Sequence, residues 1–321
     1  MARVSVLGPG GVGGFLAAAL ARAGEPVTVV ASEDTAALIE RDGIAVQSVR
    51  LGAFTARPPA VSHLDAGSHT LIVATKATGL EAALARISGA PRLVVPLLNG
   101  LDHMDVLRER FGENRVAAGT IRIESDRPAP ARIVQTSPFL RVDLAADPPE
   151  ARAALPELAA TLERAGIPTR IEASEKQILW SKLVRLNALA CTTSAAERPI
   201  GFIRSDPEWR AALIDCIREA AAVAGADGAL IDPEARLAEL DEAHPELGSS
   251  MQRDIAAGRT PELDAIPGSV LRAARRHGLR CPTIARLSAT IARRAGIPAP
   301  EEDPSGDART TGQTTEAPTQ T

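Results

Sequence analysis

Close to the start of the chain, Gly8-Pro9-Gly10-Gly11-Val12-Gly13 matches the pattern G-x-G-x-x-G. Each glycine has its own physical task. The first permits a tight turn, the second lets a pyrophosphate approach the backbone, and the third lets the next helix pack closely on the preceding strand. The N-terminus of that helix then offers free N–H groups and a positive dipole end to the phosphates. A dinucleotide held this way performs hydride chemistry itself, so the protein mainly positions the partners. Hydride addition turns a ketone oxygen into a developing alkoxide. An ammonium within hydrogen-bond reach both stabilises that charge and supplies the proton, provided that burial draws its pKa toward neutrality.

Such residues need elements to hold them. Val4 to Leu7 is a short apolar strand, the glycine turn follows, an Ala-rich helix runs from about Val12 to Ala23, and Val27 to Val30 is a β-branched run. Together they make a βαβ unit, the context in which the glycine pattern is informative. Apolar runs at Thr70 to Ala74 and Leu93 to Leu97, separated by a helical stretch from Gly79 to Ile87, continue the alternation of a parallel sheet. Runs at Val116 to Ile123, Arg132 to Gln135 and Phe139 to Leu144 lie close together with turn residues between them, and predict antiparallel strands that close the sheet. From about Ser174 helical periodicity takes over. The expected fold is therefore α/β: a Rossmann-type dinucleotide-binding domain over residues 1–172, an all-α domain over 173–298, and a polar tail over 299–321 too poor in apolar residues to fold.

The end of the second strand reads Val30-Ala31-Ser32-Glu33-Asp34. Ser32 can donate to a ribose hydroxyl or to a 2′-phosphate, whereas Glu33 and Asp34 repel a phosphate if they point inward. FAD, NADPH and NADH all remain open on these residues.

Composition removes other classes. The formal charge of −4 and the 2% aromatic content deny the chain both the basic footprint and the stacking platforms of a nucleic-acid binder. A basic run, Arg272, Arg275, Arg276, His277 and Arg280, is expected as a solvated helix face near a C-terminus. Cys191, Cys216 and Cys281 are far apart and odd in number, which argues against a disulfide framework and a zinc site and fits a reducing, cytoplasmic setting. No metal is expected: His63, His69, His103, His244 and His277 lack ligand spacing and are expected at the surface or in loops. The uncharged stretch between Arg3 and Arg22 contains Pro9 and five glycines, which would place a loop in mid-bilayer, so no membrane span is expected there.

Several fragments recur at the spacing of one family: Thr75-Lys76, Leu98-Asn99-Gly100, Trp180-Ser181-Lys182-Leu183, Ser249-Ser250-Met251 with Asp254, and Glu262-Leu263-Asp264 with Gly268. As an ordered set over about residues 2 to 297, the chain resembles the ketopantoate reductases, which make pantoate for coenzyme A. The resemblance implies a cleft between the two domains in which NADPH meets a small 2-oxo acid. It implies Lys182 as general acid, Glu262 and Ser250 at the polar ends of the substrate, Asn99 beside nicotinamide and substrate, and Lys76 at the cofactor. Glu262 counts for cofactor binding too, and Gly8 to Gly13 and Ser32 complete that set.

The chain departs from the family at two positions. Asn commonly stands four and eight residues after the lysine, and here those positions are Leu186 and Ala190. Asn187 is the neighbouring candidate for a substrate contact, but it lies about 140° around the helix from Lys182. Thr192, Thr193 and Ser194 are further candidates. The apolar pair points to another 2-oxo acid or a bulkier ketone as the alternative substrate. A dinucleotide-binding protein without turnover is the alternative of a different class, opposed by the retained Lys182 and Glu262. The apolar helices of the second domain are open to two uses, core or homodimer contact.

Overall fold

The structure, a computed structural model, describes residues 4–65 and 69–300. Strands β1 (Val4–Leu7) and β2 (Val27–Val30) flank helix α1 (Gly11–Arg22), and α2 (Glu33–Asp42) follows. Next come β3 (Ile44–Ser48), β4 (Gly52–Ala56), β5 (Ala60–Val61), β6 (Thr70–Val73), the short α3 (Leu80–Leu84), β7 (Leu93–Pro96) and α4 (His103–Phe111). Strands β8 (Ala118–Arg122), β9 (Ser125–Ala129), β10 (Arg132–Gln135) and β11 (Arg141–Ala145) precede α5 (Pro149–Arg164) and β12 (Thr169–Ile171). The rest is helical: α6 (Glu175–Ala196), α7 (Ile200–Ser205), α8 (Pro207–Ala226), α9 (Pro233–Asp241), α10 (Ser250–Ala256), a π-helical turn at Asp264–Gly268, α11 (Ser269–Arg276) and α12 (Pro282–Ala295).

Five parallel strands form the main sheet in the order β5-β2-β1-β6-β7. The order reverses direction between β1 and β6, so the loops at their C-terminal ends diverge and leave the crevice where such sheets bind ligands. Gly8 follows β1, Thr75-Lys76 follows β6, and Leu98-Asn99-Gly100 follows β7. The β1, β2, β6 and β7 strands are nearly wholly buried, as expected for short apolar runs covered on both faces.

The later strands do not close this sheet. Among the described residues a single parallel bridge, Val94 to Val116, touches it. Strand β8 pairs antiparallel with β11 in a three-stranded sheet, and the hairpin β9–β10 joins β3 and β4 in a four-stranded one. The cause is packing: a Cβ on Gly14 of α1 would meet the Ile133 side chain of β10 at 2.7 Å, so the bare helix face draws the hairpin over it.

Helix α6 carries the second domain. Ser174 caps it, accepting from the Gln177 N–H at 3.3 Å. Trp180 is fully buried and donates from Nε1 to Asp227 at 2.7 Å, which fixes one face of the helix in its own core. Lys182 lies about 200° around from Trp180 and therefore faces the other way, toward the sheet domain, beside Ile178 and Leu179, which pack into that domain's apolar cluster. Leu183, Leu213, Ile217, Ile266 and Ile291 are core residues, so these apolar positions are filled within the chain. The tail expected over 299–321 falls largely on residues 301–321, outside the described residues; Pro300 is buried against Gly268.

Candidate active site

The dinucleotide end is built by backbone. Gly8 adopts a φ of +89°, which L side chains avoid. Its N–H donates to Val30 O at 3.0 Å, and Gly10 N–H donates to Gly8 O at 2.9 Å. A Cβ on Gly13 would overlap the Gly8 carbonyl, so α1 can sit this close to the turn only with glycine there. Gly10 occupies the cap position of α1 with no side-chain cap bond, and the first-turn N–H groups lack acceptors within the helix. Donors and space thus fit a pyrophosphate. A cleft of about 150 Å³ runs from Gly8 and Pro9 past Ala31 to Ser32 and Thr35.

The reaction end is built by side chains from both domains. Glu262 of the helical domain is buried, and both of its carboxylate oxygens reach the sheet domain: Oε2 accepts from Asn99 Nδ2 at 2.9 Å and Oε1 from Ala77 N–H at 3.2 Å. Lys76 reaches back the other way, its Nζ donating to the buried Asp254 at 2.8 Å; Asp254 also takes Arg259 at 2.9 Å. Lys76, expected at the cofactor, therefore fastens the seam and is absent from the lining of the cleft. Gly100, with φ of +85°, lets its loop lie against Ala265 in the π-helical turn, where any Cβ would strike the carbonyl.

Lys182 opens onto a gap lined by Leu98, Gly100, Thr120, Leu179, Leu183 and Leu186. No described residue takes its ammonium in a hydrogen bond or ion pair. Burial pushes its pKa down to about 8; Glu262 pulls it back up and Arg122 adds to the depression. The gap is about 10 Å³, room for one water at most, so a larger ligand enters only as the seam opens. Arg122 belongs to a cluster in which Arg122, Arg185 and Arg236 all converge on Glu239, at 3.5, 3.4 and 2.7 Å.

Several expectations change. Asn187 is fully buried, accepts from Cys191 Sγ at 3.5 Å and does not line the gap, because its turn of helix faces the second core. Leu186 does line it, and Ala190 is buried. Thr192 bonds the Ala188 carbonyl of its own helix, while Thr193 bonds the Leu189 carbonyl and Ser249 at 3.0 Å, so Thr193 ties α6 to the cap of α10 and neither hydroxyl lines the gap. Ser249 is the cap of α10, accepting from Gln252 N–H; Ser250 is its first residue, part-exposed, with a hydroxyl that no described residue bonds.

His103, expected at the surface, is buried in α4 and held down to a pKa of about 4 by burial, with Lys182 adding repulsion. Sequence gave no sign of it, since its neighbour Lys182 is remote along the chain. Arg272, expected as solvated, bridges Asp102 and Asp264 at 2.7 Å each and adds another tie across the seam. Glu33 and Asp34 are exposed on the first turn of α2 and absent from the lining of the cleft.

A parallel sheet with a glycine turn at its switch point, joined to a helical domain that brings a lysine to the seam between them, has the architecture of a Rossmann-type NAD(P)H-dependent reductase. Sequence comparison gives the family. Models of the ketopantoate reductase PanE/ApbA family match residues 4–146, and of its C-terminal domain residues 175–300. The chain belongs to that family and is an NAD(P)H-dependent 2-oxo acid reductase. It is 28% identical over 302 residues to a 2-dehydropantoate 2-reductase of Caulobacter vibrioides, covering 91% of this chain and 98% of the relative. It is 27% identical over 298 residues to the uncharacterised oxidoreductase YkpB of Bacillus subtilis, covering 89% and 96%. The fold matches that of a D-mandelate dehydrogenase solved with NADH and anilino(oxo)acetate, with a TM-score of 0.84 at 19% identity over 91% of this chain and 98% of that one. No helix among the described residues is long and apolar enough to cross a membrane.

Proposed function

We propose that the protein reduces 2-dehydropantoate to pantoate with NADPH, feeding pantothenate and coenzyme A synthesis. The observation that carries this reading is the unpartnered Lys182 ammonium at the seam, with a pKa near 8. Bound nicotinamide supplies the hydride. Lys182 Nζ donates its proton to the carbonyl oxygen and steadies the charge developing there. Asn99 lies beside nicotinamide and substrate, and Glu262 and the free Ser250 hydroxyl take the substrate's polar ends. Gly8 to Gly13, Ser32 and Lys76 hold the nucleotide.

Leu186 favours a second reading. With Leu98, Leu179 and Leu183 it makes the gap apolar where polar contacts are expected, which suits a 2-oxo acid with a larger apolar group. Purified protein, NADPH and a panel of 2-oxo acids, followed by loss of nicotinamide absorbance, separates the two. The pantoate assignment predicts the highest kcat/KM for 2-dehydropantoate; inactivity on it beside turnover of a bulkier acid retires that assignment.

A further inference from the structure

We infer that Arg127 and Arg86, with the hydroxyls of Ser32 and Thr35, form a subsite for a phosphomonoester on the adenosine ribose, so that the chain selects the 2′-phosphorylated dinucleotide without a basic residue after its second strand. The inference rests on the dinucleotide reading of the glycine turn and names the residues that decide which dinucleotide is taken.

All four residues line one cleft, the one that begins at Gly8 and passes the end of β2. A ribose held at that strand end presents its 2′-substituent there. Ser32 stands at the cap position of α2 yet makes no cap bond; its hydroxyl donates instead to Thr35 Oγ1 at 2.9 Å, which puts two hydroxyls side by side in the cleft. No carboxylate is among the lining residues, and the acidic pair expected to repel a phosphate is exposed on α2. Hydroxyls alone would serve a ribose diol. Two guanidiniums with them are the donor set of a phosphate, which they can grip by forked hydrogen bonds.

The fold explains how Arg127 comes to be there. It sits on β9, far along the chain from the nucleotide turn, and β9 rests directly on that turn. Ser125 Oγ donates to the Gly11 carbonyl at 2.8 Å, and a Cβ on Gly11 would overlap the Ser125 carbonyl. The bare glycine thus lets the hairpin settle over the start of α1 and carry Arg127 to the cleft. The adjacent Asp126 accepts from the backbone N–H of Arg127 at 2.7 Å, while no described residue pairs with the Arg127 guanidinium. Arg86 spends one N–H on the Ser62 carbonyl at 3.3 Å and keeps the rest of its donors.

The test is binding of adenosine 2′,5′-bisphosphate and adenosine 5′-monophosphate to the whole chain by calorimetry, with NADPH and NADH compared in the same preparation. The wild type is expected to favour the 2′-phosphorylated member of each pair. Arg127→Ala should cut that preference about tenfold to hundredfold, the loss of a charge-assisted bond, and Arg127→Glu should invert it. A wild-type preference for NADH, or an equal loss for both nucleotides in Arg127→Ala, overturns the subsite while leaving the reductase reading intact. Binding of neither dinucleotide overturns both. A preserved effect of Arg127 in a protein that reduces no 2-oxo acid supports the subsite and removes only the proposed reaction.

Discussion

The two ends of the groove are built on opposite plans. At the adenosine end a single domain supplies backbone and a cleft of about 150 Å³ stands open. At the reaction end two domains supply side chains, and about 10 Å³ remains beside Lys182. The seam there is tied by Glu262 to Asn99 and Ala77, by Lys76 to Asp254 and by Arg272 to Asp102. The adenosine end stands open as it is, whereas the tied end leaves room beside Lys182 for no more than a water. The packing of the seam also depresses the Lys182 pKa, because desolvation is the largest cause of its shift. The same seam therefore tunes the group proposed as the acid.

The sharpest way to break the contrast is Lys182→Ala. Turnover should fall about 10²- to 10⁴-fold, the usual worth of a general acid, while the NADPH dissociation constant moves far less. Stopped-flow turnover and nucleotide titration measure the two, and a comparable loss in both would join the ends into one site.

A smaller effect is expected from pH. The proposed mechanism needs Lys182 protonated, so kcat should be flat below about pH 8 and fall about tenfold per unit above it. Glu262→Gln removes the charge that raises this pKa and should move the alkaline limb to lower pH, with about a tenfold loss in kcat/KM from the seam bonds. A limb that stays in place would show that Glu262 does not act on Lys182. Smallest is Lys76→Met. The Lys76 side chain is 46% exposed and Asp254 keeps Arg259, so a thermal melt should register about 1 kcal/mol or less. A larger drop would mean that Lys76 is the main tie of the seam.

Much of the adenosine end was legible in the chain. Strand, turn and helix there depend on neighbours in sequence, and β1 and β2 occupy the expected runs while α1 runs Gly11–Arg22. Less was legible for the later strands, which carry the same apolar runs whichever sheet they join; for the β9–β10 hairpin, contacts of α1 with Ile133 and Ser125 go with its place in the four-stranded sheet. Strands β3, β4 and β12 and helix α5 gave no distinct signal and were not foreseen. At the reaction end Lys182, Glu262, Asn99 and Lys76 were found through an ordered resemblance. His103 and Arg127 carry no motif, and Asn187 proved to be a core residue because one step along a helix turns a side chain by about 100°.

By itself the sequence determined the glycine turn, the βαβ unit around it, the change to helices near Ser174 and the presence of a lysine two residues beyond a tryptophan. Those are properties of residues close together in the chain, where spacing fixes geometry. The tertiary structure decided that Lys182 is half-buried within range of Glu262 and Arg122, that Lys76 is tied to Asp254, and that a hairpin carries Arg127 to the cleft beside Ser32. Each of these joins segments remote in sequence, and pKa, access and selectivity come from that three-dimensional proximity.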